Sequence, residues 1–208
     1  MGSTTRMQMA RYELLADIAA MAAKVSSKYG LSAGVAAKAA LNMSSELAAN
    51  WVGQVFVIPK DMRWRRQARD ERIHAEFTGS NHGDLAQRHN LTVNSIYKII
   101  KARSQRQSHD VERSELLADV ADHAQFIFES HGLQPEQAET AGSEVADALA
   151  DAWGGQMFCV PHGMSERWQE LVTHIHTASA DTSLCALSAE LDMPQVAIKK
   201  IVELNIQE

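Results

Sequence analysis

The chain repeats itself. Slid by 102 residues, its 208-residue sequence matches itself without a gap: RYELLADIA at 11–19 falls on RSELLADVA at 113–121, and GQVFVIP at 53–59 falls on GQMFCVP at 155–161. Gly30-Leu31 meets Gly132-Leu133, Trp51 meets Trp153, His74 meets His176, and Leu85 meets Leu187. Ile96, Ile99 and Ile100 meet Ile198, Ile201 and Val202. One echo can arise by chance, but a register held over roughly a hundred residues is a tandem duplication. Two units follow, 1–107 and 108–208, and a fold open to one must be open to the other.

Each unit begins helical. Leu14, Ile18, Met21, Val25 and Tyr29 recur every three or four residues, a helical stripe that stops at Gly30. Ser32 stands where it can cap a second helix, with Val35, Ala39, Met43, Leu47 and Trp51 on one face and alanines around them that allow close helix approach. In the second unit Pro135 marks the same boundary, since a first helical position tolerates proline. The phrase Val55-Phe56-Val57-Ile58, between Gly53 and Pro59, is β-branched and aromatic and predicts a short strand.

A lone strand leaves its backbone donors and acceptors without partners. Its copy is the obvious partner. Gln54, Phe56 and Ile58 are therefore predicted to pair antiparallel with Gln156, Phe158 and Val160 across a two-fold axis. A two-stranded ribbon is marginal alone, so helices must pack on it. The fold expected is mainly α: a homodimer fused into one chain, with helices and strand over 8–59 and 113–161.

Beyond each strand the pattern changes to helix, helix, tight turn, helix, over 61–104 and 163–204. Asp61 can cap a helix running to about Phe77 that Gly79 ends, and a short helix follows from about Asn81 with Asp84 in its first turn. Asn90 suits a left-handed turn position and Thr92 caps the third helix, TVNSIYKIIKAR. Ala86 is the small residue where helices cross, and Leu85, Leu91, Ile96 and Ile99 make the core. This is the spacing of a helix-turn-helix. The second unit keeps those core positions but has Pro194, Val196 and Lys199 where the first has Thr92, Asn94 and Tyr97.

Charge separates the units. Residues 1–107 hold 16 Lys+Arg against 8 Asp+Glu, a net of +8, and residues 108–208 hold 4 against 18, a net of −14. The pI of 5.8 conceals a basic half fused to an acidic one. Arg63, Arg65, Arg66, Arg69 and Arg72 crowd one helix of the basic half. Arginines beside a helix-turn-helix neutralise phosphates and supply affinity without sequence preference. The third helix then offers Thr92, Val93, Asn94, Tyr97 and Lys98 to base edges in the major groove. Asn94 suits adenine, Val93 a thymine methyl and Lys98 a guanine. Lys60, Asn81, His82, Lys101 and Arg103 complete the phosphate-contacting set with the five arginines.

Other classes find little support. Hydrophobic residues make 45% and charged ones 22%, the balance of an ordinary globular protein, and no run approaches the length that spans a bilayer. Two cysteines, Cys159 and Cys185, argue against a disulfide framework and for the cytoplasm. With His162, His174 and His176 they fit no zinc-ligand spacing, so neither metal nor cofactor is expected. No nucleophile, paired-carboxylate or phosphate-loop arrangement stands out, and the chain does not read as an enzyme.

The phrase GQVFVIPKD, an Arg-rich helix and then FTGSNHGDLAQRHNLTVNSIYKIIK resemble the Mor/C family of transcription activators of Mu-like phages. The resemblance covers about residues 40–103 well and the preceding helices more loosely. It implies dimers with helices and an intermolecular strand pair at the interface and a helix-turn-helix at each end. It also implies activation of phage promoters, with double-stranded DNA and RNA polymerase as partners. This chain departs from that pattern as a single-chain tandem whose second reading head has diverged. The acidic unit then reads as a pseudo-subunit that keeps the dimer scaffold, and association of whole chains stays open. The alternative is a protein-interaction regulator, or DNA mimic, acting through the acidic unit.

Overall fold

The computed structural model describes residues 2–59, 63–102 and 108–204, with side chains described at 10–59, 69–101 and 116–204. The first unit runs α1 (Gly2–Lys28), α2 (Ala33–Asn50), β1 (Val55–Val57), α3 (Arg63–Glu76), α4 (His82–Arg88) and α5 (Val93–Ala102). The second repeats that order as α6 (Ser108–Ser130), α7 (Pro135–Trp153), β2 (Met157–Cys159), α8 (Met164–Ala178), α9 (Leu184–Leu191) and α10 (Gln195–Glu203). The last three helices of each unit form a head.

Helices α1 and α2 pack as a hairpin, as do α6 and α7, and the hairpins join as α1 on α7 and α2 on α6. Small side chains make the seam: Ala36, Ala37, Ala39, Ala40, Ala121, Ala124, Ala138, Ala141 and Ala146 are all buried. At Gly142 the helices come closer still, since a Cβ there would stand 2.4 Å from the Ala121 carbonyl oxygen. The first-unit stripe is buried at Leu14, Ile18, Val25, Met43, Leu47 and Trp51. Val35 departs from expectation, 37% exposed in the first turn of α2, while its neighbours Ala36 and Ala37 are buried. Ser32 stands at the N-cap of α2 but its side chain makes no capping bond.

The strands pair antiparallel, Val55 with Cys159, Phe56 with Phe158 and Val57 with Met157. Further bonds extend the ladder with the same two-fold symmetry. Gly53 N–H donates to the Val160 carbonyl at 2.8 Å and Gly155 N–H to that of Ile58 at 2.6 Å. Ile58 N–H donates to Gln156 and Val160 N–H to Gln54. Beneath the ribbon Trp51 meets Phe56 at 4.8 Å and Trp153 meets Phe158 at 5.5 Å. Each strand thus supplies its partner's missing backbone bonds while its rings fill the core.

The heads sit differently. In the first, α3 rests on α6, and Ile73, Leu85, Ala86, Ile96 and Ile99 form a core of their own. In the second, α8 lies against α2 and α10 along α1, and Trp168, Val172, Ile175, Leu187, Ile198 and Ile201 are continuous with the bundle core. Each head therefore lies on the other unit's hairpin.

Candidate nucleic-acid interface

In the first head α4 and α5 meet across a tight turn. Asn90 adopts φ 52°, the left-handed region that asparagine tolerates better than most residues, and Leu91 N–H bonds the Ala86 carbonyl at 2.8 Å. Thr92 Oγ1 accepts from Ser95 N–H at 3.2 Å and fixes the start of α5. Helix geometry then divides α5 into two faces. Ile96 and Ile99 turn into the core, while Thr92, Val93, Asn94, Tyr97, Lys98 and Lys101 are exposed.

The other expected contacts are less uniform. Arg69 lies on α3 with its guanidinium on the Asp70 carboxylate at 2.8 Å. Arg72 reaches across to Glu139 of α7 at 2.9 Å, an ion pair between the basic and acidic units. Arg63, Arg65 and Arg66 fall on the α3 backbone, but their side chains lie outside the described residues, as do Lys60 and Arg103 entirely.

Asn81 is engaged within the head. Its Oδ1 accepts from Thr78 N–H and its Nδ2 donates to the Glu76 carbonyl, both at 2.9 Å, which closes the turn between α3 and α4. His82, next in the chain, stacks on Tyr97. Glu76 also binds Arg88 at 2.8 Å and His89 at 3.3 Å. The His89 bond, opposed by burial and then helped by Arg88, holds the Glu76 carboxyl below its ordinary range.

The second head has the same turn, with Asp192 at φ 53° in the place of Asn90. Its surroundings differ. Lys200, the repeat counterpart of Lys98, bonds Asp17 of α1 at 2.5 Å, and Asp17 also accepts from Trp153 Nε1 at 3.0 Å. Burial, and then the neighbouring Asp17, raise the Glu13 carboxyl above its ordinary range, with Lys200 pulling the other way. Trp168 is fully buried and donates through Nε1 to Ser44 at 2.9 Å. The first unit has Arg66 at the repeat position of Trp168, and the second unit's α7 has Ala146 at that of Ser44, so this anchor has no counterpart for the first head.

Sequence reasoning did not single out Glu139, Asp17 or the stack on Tyr97. The first two belong to the opposite unit from the group they bind, and no spacing within one repeat reveals them. The stack had a signal, since Phe77, His82 and Tyr97 are absent together from the second unit, as Ser179, Leu184 and Lys199. Among the described residues no three potential metal ligands cluster, and no helix is long and apolar enough to cross a membrane.

A family model described as the Mor transcription activator family matches the chain twice, over residues 9–114 and again over 111–207. No solved structure matches the chain.

Proposed function

The chain belongs to the Mor transcription activator family, and from that premise we propose that it binds DNA sequence-specifically and activates phage or prophage promoters through the first head. The observation that carries this reading is the exposed row Thr92, Val93, Asn94, Tyr97 and Lys98, set on a helix with its own core in the basic unit. A helix of this kind enters the major groove with its N-terminal residues at base edges. Asn94 pairs with adenine in bidentate fashion, Val93 packs on a thymine methyl and Lys98 reaches guanine, while the α3 arginines and Lys101 hold phosphates. RNA polymerase is the second partner that activation requires.

The second head serves as scaffold. Its α10 lies along α1 and the lysine equivalent to Lys98 is spent on Asp17, which supports a fused pseudo-dimer with one reading head. One chain then prefers an asymmetric site.

Selection of bound sequences from a random duplex pool at physiological salt, with the selected complex weighed, tests this. An asymmetric motif held by one chain is expected. A palindrome held by two chains would overturn the one-headed reading, and the absence of any enriched sequence would overturn sequence-specific binding and favour a protein-interaction role for the acidic unit.

A further inference from the structure

Three rings line up where α4 meets α5. His82 lies nearly parallel to Tyr97, with centroids 4.0 Å apart and planes 20° apart. Phe77 meets His82 edge-on at 4.8 Å and itself packs on the head's core. The column therefore runs from the core to Tyr97, which is 54% exposed on the face offered to DNA. The two Asn81 bonds close the turn immediately before His82 and hold the stack's base in place.

The second unit supplies the control. It lacks all three rings, yet α8, α9 and α10 form and Leu187, Ile198 and Ile201 are buried at the positions of Leu85, Ile96 and Ile99. That head packs on the bundle core, whereas the first keeps a core of its own. The rings are present only in the head whose third helix carries Thr92 and Asn94, and they link that head's core to its exposed face.

We propose that His82 is a positioning residue for sequence readout, which holds the Tyr97 ring in one orientation and so sets the discrimination at the base pair Tyr97 contacts. The proposal rests on the DNA-reading function above. An exposed tyrosine free to change rotamer loses that freedom on binding, and loses it on any sequence its hydroxyl can reach. Stacked face to face and braced through His82 by Phe77, the ring is ordered beforehand and presents its hydroxyl in one direction. Sequence alone suggests a phosphate contact for His82, and the test below separates that role from positioning.

The test compares wild type with His82→Leu, His82→Phe and His82→Lys in the random-pool selection, followed by binding to the selected site across a salt series. Leucine is the residue the second head carries at this position, and thermal unfolding of each variant shows that its head stays folded. His82→Phe keeps the ring and is expected to keep the wild-type base preferences. His82→Leu and His82→Lys are expected to lose about fivefold to tenfold in discrimination at one base pair. That pair is the one Tyr97→Ala also flattens, and the salt slope of His82→Leu stays at the wild-type value. Unchanged preferences in His82→Leu, with wild type still selecting a motif, overturn this proposal alone. So does a His82→Phe that loses affinity on every sequence with a shallower salt slope, which would make His82 a phosphate contact. A wild type that selects nothing overturns the DNA reading itself and this proposal with it.

Discussion

Phe56 and Phe158 stand opposite each other at the centre of the strand pair, their rings 6.2 Å apart, and they are the same position of the 102-residue repeat. A residue that pairs with its own copy lies on the two-fold axis. The axis of the pseudo-dimer therefore passes between these two rings, and each unit completes the other's backbone bonding there.

Phe158 is the more buried of the two, 4% exposed. Phe158→Ala is expected to cost about 3–5 kcal/mol, through lost burial and the cavity left beside Trp153. Phe56→Ala should cost less. Urea denaturation followed by tryptophan fluorescence checks the order, and equal losses would mean that the ribbon is not packed as described.

Gly142→Ala is expected to destabilise by about 1–3 kcal/mol, because its Cβ meets the backbone of α6 and not a movable side chain. The first unit has Ala40 at this position. A stabilised Gly142→Ala protein, as helix propensity alone would give, would contradict the close approach of α6 and α7.

The second head is held by Trp168 and Lys200. Trp168→Phe keeps most of the volume and removes one bond to Ser44, an expected loss of about 1 kcal/mol. In a double-mutant cycle, Asp17→Asn and Lys200→Met should couple by about 1–2 kcal/mol, reduced from a fully buried pair by the partial exposure of Lys200. Additive losses would mean that the ion pair does not fasten the head.

Arg72 pairs with Glu139, and in the proposed DNA complex a phosphate competes with that carboxylate for it. Glu139→Gln should tighten binding to every duplex and steepen the dependence of log affinity on log salt by up to about 0.9, the slope of one phosphate contact. Asn94→Ala should behave in the opposite way, relaxing preference at one base pair by about 1–3 kcal/mol and leaving the slope alone. Filter binding across a salt series separates the two behaviours.

His176 gives a pH dependence. Burial depresses its imidazole below the ordinary value of 6.5, and its Nε2 is buried without a hydrogen-bond partner. The folded protein resists protonation there, so stability is full above 6.5, declines as pH falls below it, and is fully lost for this group below the folded value. His176→Leu should flatten that part of the curve. Thermal unfolding at pH 7.5 and at 5.5 checks it, with an unchanged difference between the two as the contrary result.

Local features were legible because their causes are local. The left-handed Asn90, the Thr92 cap, Pro135 at the first turn of α7 and the buried stripe of α1 each follow from residues within a few positions of one another. The exposed face of α5 followed from helical periodicity in the same way. One detail shifted under packing: Val35, expected on the buried face of α2, is exposed. His82 shows the limit most clearly, since its stack on Tyr97 joins residues on two helices and no local spacing announces it.

By itself the sequence determined the repeat, the type of each element, the antiparallel pairing of the two strands and the division of charge. All of these depend on periodicity, on backbone bonding that must be satisfied, or on counting, and each can be judged within one unit and its copy. Only the tertiary structure decided that each head lies on the other unit's hairpin, that Asp17 takes Lys200 and Glu139 takes Arg72, and that one head joins the bundle core while the other keeps its own. The physical reason lies in the strands. Antiparallel pairing carries each chain segment across the two-fold axis, so the groups a head meets next are distant in sequence and belong to a unit whose charges have diverged from its own.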